Sequence, residues 1–242
     1  MKPLCIDLFC GLGGWSEGFL AEGYDCIGFD IERHDYGGGR YPGDLVLQDA
    51  LTIHGSQFKG ATCIVASPPC QEYSYMAMPW SRAKNIAREY REGIRDVKKL
   101  TALFDACFRI QREACDAAGH HIPMVVENVR GAIPWVGQSR WHFGSFHLWG
   151  DVPALMPIVK AGRMKFPAPY GPRKWSDREV RLNDGVKQAG ISGVRANGKG
   201  DKWFQDGAAR SGSKSNARKQ ASAEIAKIPL VLSRHIARAF KG

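Results

Sequence analysis

The sequence predicts an α/β protein: a doubly wound, mostly parallel sheet, followed by a small, basic, loop-rich lobe. Three observations carry this expectation. Short apolar runs of strand length alternate with stretches of helical spacing between residues 4 and 127, the pattern of a parallel sheet with helices on its faces. Beyond Gly150 the chain turns rich in Pro, Gly, Lys and Arg. The charge divides at the same place: residues 1–150 hold 15 Lys and Arg against 17 Asp and Glu, whereas residues 151–242 hold 19 against 7. A near-neutral front and a strongly basic back suggest a catalytic core followed by a polyanion-binding region.

Residues 4–9 form the first strand candidate and run into the turn Gly11-Leu12-Gly13-Gly14. A helix is expected over residues 15–22, stopped by Gly23, then a second strand over 24–31 that carries Asp30 near its end. Residues 61–66, Ala-Thr-Cys-Ile-Val-Ala, make a third strand that Ser67-Pro68-Pro69 interrupts. Val97, Leu100, Leu103, Phe104, Cys107 and Ile110 recur at helical spacing, so a helix is expected from 96 to 118, with Gly119 as its natural end. Residues 122–127 are a further strand, with proline near its start, where sheets tolerate it. A last amphipathic helix is expected from Pro229 to Phe240, burying Leu232, Ile236 and Phe240. In such sheets ligands sit beyond the carboxyl ends of the strands, which is where Phe9, Asp30, Pro68 and Glu127 fall.

Composition narrows the class. Hydrophobic content of 44% and charged content of 24% are ordinary for a soluble globular chain. No apolar run approaches the roughly 18 residues that span a bilayer. Met1-Lys2-Pro3-Leu4 leads straight into a strand-like segment, which predicts no signal peptide and a cytoplasmic protein; a monomer is expected. Seven cysteines, none in a Cys-x-x-Cys pair, predict neither a disulfide framework nor a metal centre. Six of them read as small buried apolar residues.

Cys70 reads differently. It follows two prolines at the end of a strand, on stiff backbone at the mouth of the sheet, and that placement suits a nucleophile. Glu127-Asn128-Val129 ends another strand, so its carboxylate is expected in the same crevice, as a general-acid candidate that burial would keep protonated. The turn Gly11-x-Gly13-Gly14 alone marks close backbone approach to a ligand, and Asp30 fits an acid binding ribose hydroxyls. With Ser at position 16 the third glycine of a dinucleotide fingerprint is missing.

Taken together, Asp7-Leu8-Phe9-Cys10-Gly11-Leu12-Gly13-Gly14, Pro68-Pro69-Cys70-Gln71 and Glu127-Asn128-Val129 resemble the motifs of the C5 cytosine methyltransferase family. The resemblance implies a Rossmann-like core binding S-adenosylmethionine, with Phe9, Cys10, Gly11, Leu12 and Gly13 around its methionine part. Asp30 and Ile31 would meet the ribose, and Asp49, Ala50 and Pro68 the rest of the cofactor. It also implies that the Cys70 thiolate adds to C6 of a cytosine flipped out of duplex DNA while Glu127 assists at N3. The segment 72–95 resembles a mobile loop that closes over the flipped base, and Gln71 and Ser74 are expected to touch DNA. Gln138-Ser139-Arg140 is similar to the start of a Gln-x-Arg-x-Arg motif, which would make Arg140 a substrate contact, although position 142 is His. Only 11 residues separate Glu127 from Gln138, where the family has a helix and a strand. Lys160, Arg163, Lys165, Arg173 and Lys174 are the expected phosphate contacts. On this reading residues 1–150 are the catalytic domain, 151–220 the target-recognition region and 221–242 a returning helix, in the cytoplasm of a bacterial or phage-infected cell. A tRNA cytosine methyltransferase, a catalytically silent DNA-binding relative and a nicotinamide-dependent oxidoreductase are the competing readings.

Overall fold

The computed structural model describes residues 2–35, 40–71, 73, 80–156, 162–163, 181–182, 219, 223 and 226–241. The strands are β1 (Leu4–Leu8), β2 (Asp25–Asp30), β3 (Asp44–Leu47), β4 (Cys63–Ala66), β5 (Met124–Val129), β6 (Trp141–Phe143) and β7 (Phe146–Gly150). They form one sheet in the order β3-β2-β1-β4-β5-β7-β6, parallel from β3 to β5, with β7 antiparallel to both its neighbours. The chain leaves β1 toward one edge, then returns to its other side at β4, so the sheet reverses direction between these two strands. That is the point where an open α/β sheet leaves a crevice at its carboxyl end.

Helices cover both faces. α1 (Gly14–Ala21), α2 (Trp80–Arg91), α3 (Val97–Ala118), the single turn α4 (Ile133–Val136) and α5 (Leu230–Phe240) complete the described elements, with a short ladder of β8 (Gly162–Arg163) and β9 (Arg181–Leu182) apart from the main sheet. On one face Ile6, Leu8, Ile64, Ala66, Met124 and Val126 pack against Phe104, Cys107, Ile110 and Ala114 of α3. On the other, Cys5, Cys63, Val65, Val125 and Leu148 meet Trp15 and Phe19 of α1 with Leu232, Ile236 and Ala237 of α5. Burial on both faces explains why β1, β4 and β5 read as continuous apolar runs. Each fully buried Leu or Ile contributes roughly 1.5–3 kcal/mol.

α5 lies where the sequence expected a last helix, and it docks on α1. Tyr24 donates to the Ala237 carbonyl (2.9 Å), Ser233 donates to the Trp15 carbonyl, and Glu22 pairs with Arg234 (2.6 Å) and Arg238 (3.0 Å). Periodicity does not announce the β6–β7 hairpin, whose short strands carry Trp and His in place of β-branched residues. The segment 72–95 is not a loop throughout: Tyr73 is buried, and residues 80–91 are helix, with Ala83, Ile86 and Tyr90 buried at spacings of three and four. Among the described residues no helix is long and apolar enough to cross a membrane.

Candidate active site

The crevice begins where β1 ends. Phe9 (φ 56°), Gly11 (φ 49°) and Gly13 (φ 76°) all take the left-handed conformation, a strained one for phenylalanine that its surroundings must hold in place. Cys10 N donates to the Phe29 carbonyl (3.2 Å), Gly13 N donates to the Cys10 carbonyl (2.8 Å), and Glu17 N donates to the Gly13 carbonyl (2.9 Å), which starts α1. A Cβ on Gly11 would meet nothing within 4 Å, so glycine there serves the turn and leaves open approach to its backbone. Leu12 is half-buried beside it.

Asp30 closes this turn from the neighbouring strand. One carboxylate oxygen accepts from Gly11 N (3.0 Å) and lies 3.1 Å from His34 Nε2, while the other accepts from Ile31 N (2.8 Å). Burial pushes this carboxyl up, but His34 and the amides outweigh it and hold the group below the usual carboxylate range. Asp30 in turn raises His34 against the opposing effect of burial. Asp49 is exposed and accepts from Leu51 N (2.9 Å). The buried Ala50 is held by its carbonyl, which accepts from Arg109 Nη2 (3.2 Å), while Nη1 of the same guanidinium reaches the Ile53 carbonyl (2.7 Å). Ile31 and Leu51 stand on either side of this region, 72% and 51% exposed, an apolar surface at the carboxyl ends of β2 and β3.

Two strands farther on, the chain after β4 is pinned from both sides. Ser67 Oγ accepts from Trp15 Nε1 of α1 (3.0 Å), and the Pro68 carbonyl accepts from Asn128 Nδ2 of β5 (3.0 Å). Pro68 is buried, Pro69 exposed, Cys70 half-buried and Gln71 exposed. The Cys70 carbonyl accepts from Tyr73 N (3.0 Å), and the Tyr73 hydroxyl donates to the Leu100 carbonyl on α3 (2.7 Å). Glu127, 8% exposed, is the residue of β5 that follows Val126, the register partner of Ala66. Cys70 and Glu127 therefore leave the ends of adjacent parallel strands. Trp15, Ser67, Tyr73 and Asn128 escaped the sequence reading as supports; for Asn128 the signal lay in its place next to Glu127.

All seven cysteines are free. Burial pushes the thiols of Cys5, Cys10 and Cys107 above their usual range. Five are buried as expected, but Cys115 is half-exposed at the end of α3, with its sulfur accepting from Ile122 N (3.2 Å). Among the described residues no group of three or more His, Cys, Asp and Glu could hold a metal ion.

Arg140 is exposed immediately before β6, its N–H donating to the Leu148 carbonyl (2.8 Å). The helix before it is reduced to the four residues of α4, yet a strand does follow. Since β7 separates β6 from β5, Arg140 stands two strand spacings, roughly 9–10 Å, from the Glu127 strand. His142 pairs in register with His147, which pairs with Asn128, and the two imidazoles stack with centroids 5.1 Å apart. Burial first, then His142 and Arg130, lowers the His147 pKa. Of the expected phosphate contacts, Arg163 has only its backbone described, in β8; Ser74, Lys160, Lys165, Arg173 and Lys174 lie outside the described residues.

Behind the glycine turn lies a carboxyl that the sequence did not single out. Asp7 is fully buried; Oδ2 accepts from Ser16 Oγ (2.7 Å) and from the Tyr41 hydroxyl (3.4 Å), and Oδ1 has no partner among the described residues. Burial drives this group up to about 7, against the hydrogen bonds from Ser16 and Tyr41. The folded chain thus holds a proton that the unfolded chain releases near pH 4. By linkage, the stability contributed here is complete below about pH 4 and is lost as pH rises through about 7, a change of roughly 4 kcal/mol. Asp7→Asn is neutral at every pH and removes that loss. In urea unfolding, variant minus wild-type stability should climb by several kcal/mol between about pH 4.5 and about pH 8. A flat difference would mean that Asp7 is ionised throughout.

A family model described as C-5 cytosine-specific DNA methylase matches residues 4–131, more than half of the 242 residues. Among solved structures, a candidate DNA modification methyltransferase encoded within a prophage of E. coli is similar at 23% identity, with a TM-score of 0.35, over 55% of this chain and 33% of that one. The methyltransferase EhMeth of Entamoeba histolytica is similar at 16% identity, with a TM-score of 0.36, over 56% of this chain and 41% of that one. The chain thus spans less than half the length of either. No curated protein matches it. On the family match, which begins with β1 and runs past β5, the chain belongs to the C-5 cytosine-specific DNA methylase family.

Proposed function

We propose that this protein transfers a methyl group from S-adenosylmethionine to C5 of a cytosine flipped out of duplex DNA, acting as a monomer. What carries the reading is the adjacency of β4 and β5: Pro68-Pro69-Cys70 follows β4, and Glu127 is the first residue of β5 past its register pairs with β4, with β1 and its glycine turn next to β4 on the other side. The cofactor fits the donor set around that turn. Asp30, held ionised, suits ribose hydroxyls beside Ile31; the Asp49 carboxylate suits an exocyclic amine, next to Ala50. The backbone of Phe9, Cys10, Gly11, Leu12 and Gly13 suits the amino-acid end, with Pro68 closing the pocket. When bound, S-adenosylmethionine supplies an electrophilic methyl group on a sulfonium.

The residues divide the remaining work. The Cys70 thiolate adds to C6, and the electron pair displaced from the C5–C6 bond makes C5 nucleophilic. Glu127 hydrogen-bonds N3 and takes up the charge that addition puts on the ring. After C5 gains the methyl group, loss of the C5 proton to solvent water and expulsion of Cys70, with the C6–S electron pair leaving on sulfur, restore aromaticity and the thiolate. The base must leave the stack to be reached, at roughly a few kcal/mol; Gln71 and Ser74 are assigned to the DNA, and Arg140 to the target cytosine. Residues 1–150 are the catalytic part, 151–220 the target-recognition region and 221–242 the returning helix.

Incubation with tritiated S-adenosylmethionine and either duplex DNA or tRNA tests the reading directly. Label should enter DNA; label in tRNA alone would move the substrate to RNA, and label in neither would leave a silent relative. The basic region is tested by salt. If Lys160, Arg163, Lys165, Arg173 and Lys174 meet phosphates, the log–log slope of affinity against salt should steepen by about −0.9 per contact on B-form DNA. Changing any one of them to Ala should weaken all DNA sequences alike and flatten that slope by about one unit. An affinity indifferent to salt would make the positive charge a solvated surface.

A further inference from the structure

Between β2 and β3 the chain carries a tyrosine into a slot that only glycines leave open. A Cβ on Gly28 would lie 2.4 Å from Tyr41 Cζ and 2.5 Å from its hydroxyl oxygen. On Gly13 it would lie 2.4 Å from Pro42 Cδ and 3.1 Å from the Tyr41 ring, and on Gly43 3.2 Å from Tyr41 Cε1. The ring is therefore wedged against the middle of β2 and against the last glycine of the turn after β1. Its hydroxyl meets Ser16 Oγ in the first turn of α1 and lies 3.4 Å from the buried Asp7 carboxylate. A residue that merely filled the slot would be phenylalanine; burying a phenol oxygen is favourable only where it is hydrogen-bonded. Here it joins β1, through Asp7, to α1, through Ser16, across the turn that separates them.

We infer that Tyr41 is a positioning residue for the cofactor: with Pro42 it clamps Gly13 and Ser16, and so holds the turn from Phe9 to Gly13, left-handed at Phe9, Gly11 and Gly13, in its binding geometry. The inference rests on the reading that this turn binds S-adenosylmethionine. Among the described residues, the three atoms nearest to a Cβ on Gly13 all belong to Tyr41 and Pro42. Phe9 is strained in this turn, so its surroundings must hold it there; Tyr41 and Pro42 grip the turn at Gly13, opposite the Asp30 bond to Gly11 N.

Tyr41→Phe, which keeps the ring, and Tyr41→Ala, which removes it, are the variants. Calorimetric titration with S-adenosylhomocysteine and steady-state kinetics on duplex DNA are the readouts, with thermal unfolding alongside. Tyr41→Phe should raise the Kd for S-adenosylhomocysteine and the KM for S-adenosylmethionine about five- to tenfold, the weight of one buried hydrogen bond. kcat and the KM for DNA should stay within about twofold, because the clamp does not touch the reacting atoms. Tyr41→Ala should weaken cofactor binding further. A general loss of folded protein would instead lower kcat and leave the cofactor KM unchanged, and that pattern in Tyr41→Phe overturns the assignment. Should the wild type fail to bind S-adenosylhomocysteine, the cofactor reading falls and the clamp is read by amide hydrogen exchange. Faster exchange at Gly11 and Gly13 in Tyr41→Phe supports the clamp; unchanged exchange there overturns it.

Discussion

Replacing Cys70 with alanine should abolish methyl transfer and leave S-adenosylhomocysteine binding intact. The two halves of this outcome separate because different strands supply them. The groups proposed for the cofactor leave β1, β2 and the chain after β3, apart from Pro68, whereas the thiol stands beyond β4. The loop that bears Cys70 is held by Trp15 on Ser67, Asn128 on Pro68 and Tyr73 on the Cys70 carbonyl, and none of these contacts uses the sulfur. Alanine therefore removes the proposed nucleophile and leaves these three contacts in place. The rate should fall by on the order of 10⁴-fold or more, the scale seen when a covalent catalyst loses its attacking atom. Wild-type protein should also form a complex stable to denaturant with DNA carrying 5-fluorocytosine, because fluorine at C5 cannot leave as a proton does. Cys70→Ala should form none. Transfer by the variant near the normal rate would remove Cys70 from the chemistry and leave Cys115, the other cysteine not fully buried, to be examined.

How far the molecule was legible in its sequence depended on what each segment packs against. β1, β4, β5, α3 and α5 were readable because a strand buried on both faces and a helix buried along one stripe impose apolar periods that survive in the sequence. α2 escaped although Ala83, Ile86 and Tyr90 keep that period; the many charged residues between them hid it. The β6–β7 hairpin escaped because its strands carry mostly rings, with His142 stacked on His147 and His147 tilted against Trp149, in place of alternating aliphatic residues. Within the site, the residues proposed to carry the chemistry stood out because Pro-Pro-Cys and Glu-Asn-Val are rare arrangements. The residues that hold them did not. Asp7 lies inside the first motif, yet its partner Tyr41 is 34 positions away, and only the folded chain joins them. The same holds for Trp15 and Ser67, 52 positions apart, whose bond fixes the start of the Cys70 loop. Local pattern reveals what a residue can do; tertiary contacts decide where it is held while doing it.

Exchanging Glu127 for glutamine should separate turnover from binding. Glu127 is buried in β5, one residue beyond Val126 and beside Asn128, whose side chain holds the Pro68 carbonyl. The amide is nearly isosteric, so the strand, the Asn128 contact and the Cys70 loop should keep their places. Glutamine can still donate a hydrogen bond to N3 of the cytosine, which preserves most of the ground-state contact. It cannot transfer a proton, and so cannot neutralise the charge that thiolate addition places on the ring. A positioned general acid is worth about 10²–10⁴-fold in rate. Single-turnover methylation should slow by that range while the Kd for duplex DNA changes by no more than about threefold, since the interaction lost is one made in the transition state. Glu127→Ala adds the loss of the hydrogen bond and of the space it fills, and should lower affinity as well as rate. If glutamine lowers affinity as much as it lowers rate, the carboxylate supports the sheet end and does not act on the base. If glutamine leaves the rate unchanged, proton transfer at N3 plays no part, and the charge on the ring must be met by the backbone around Pro68.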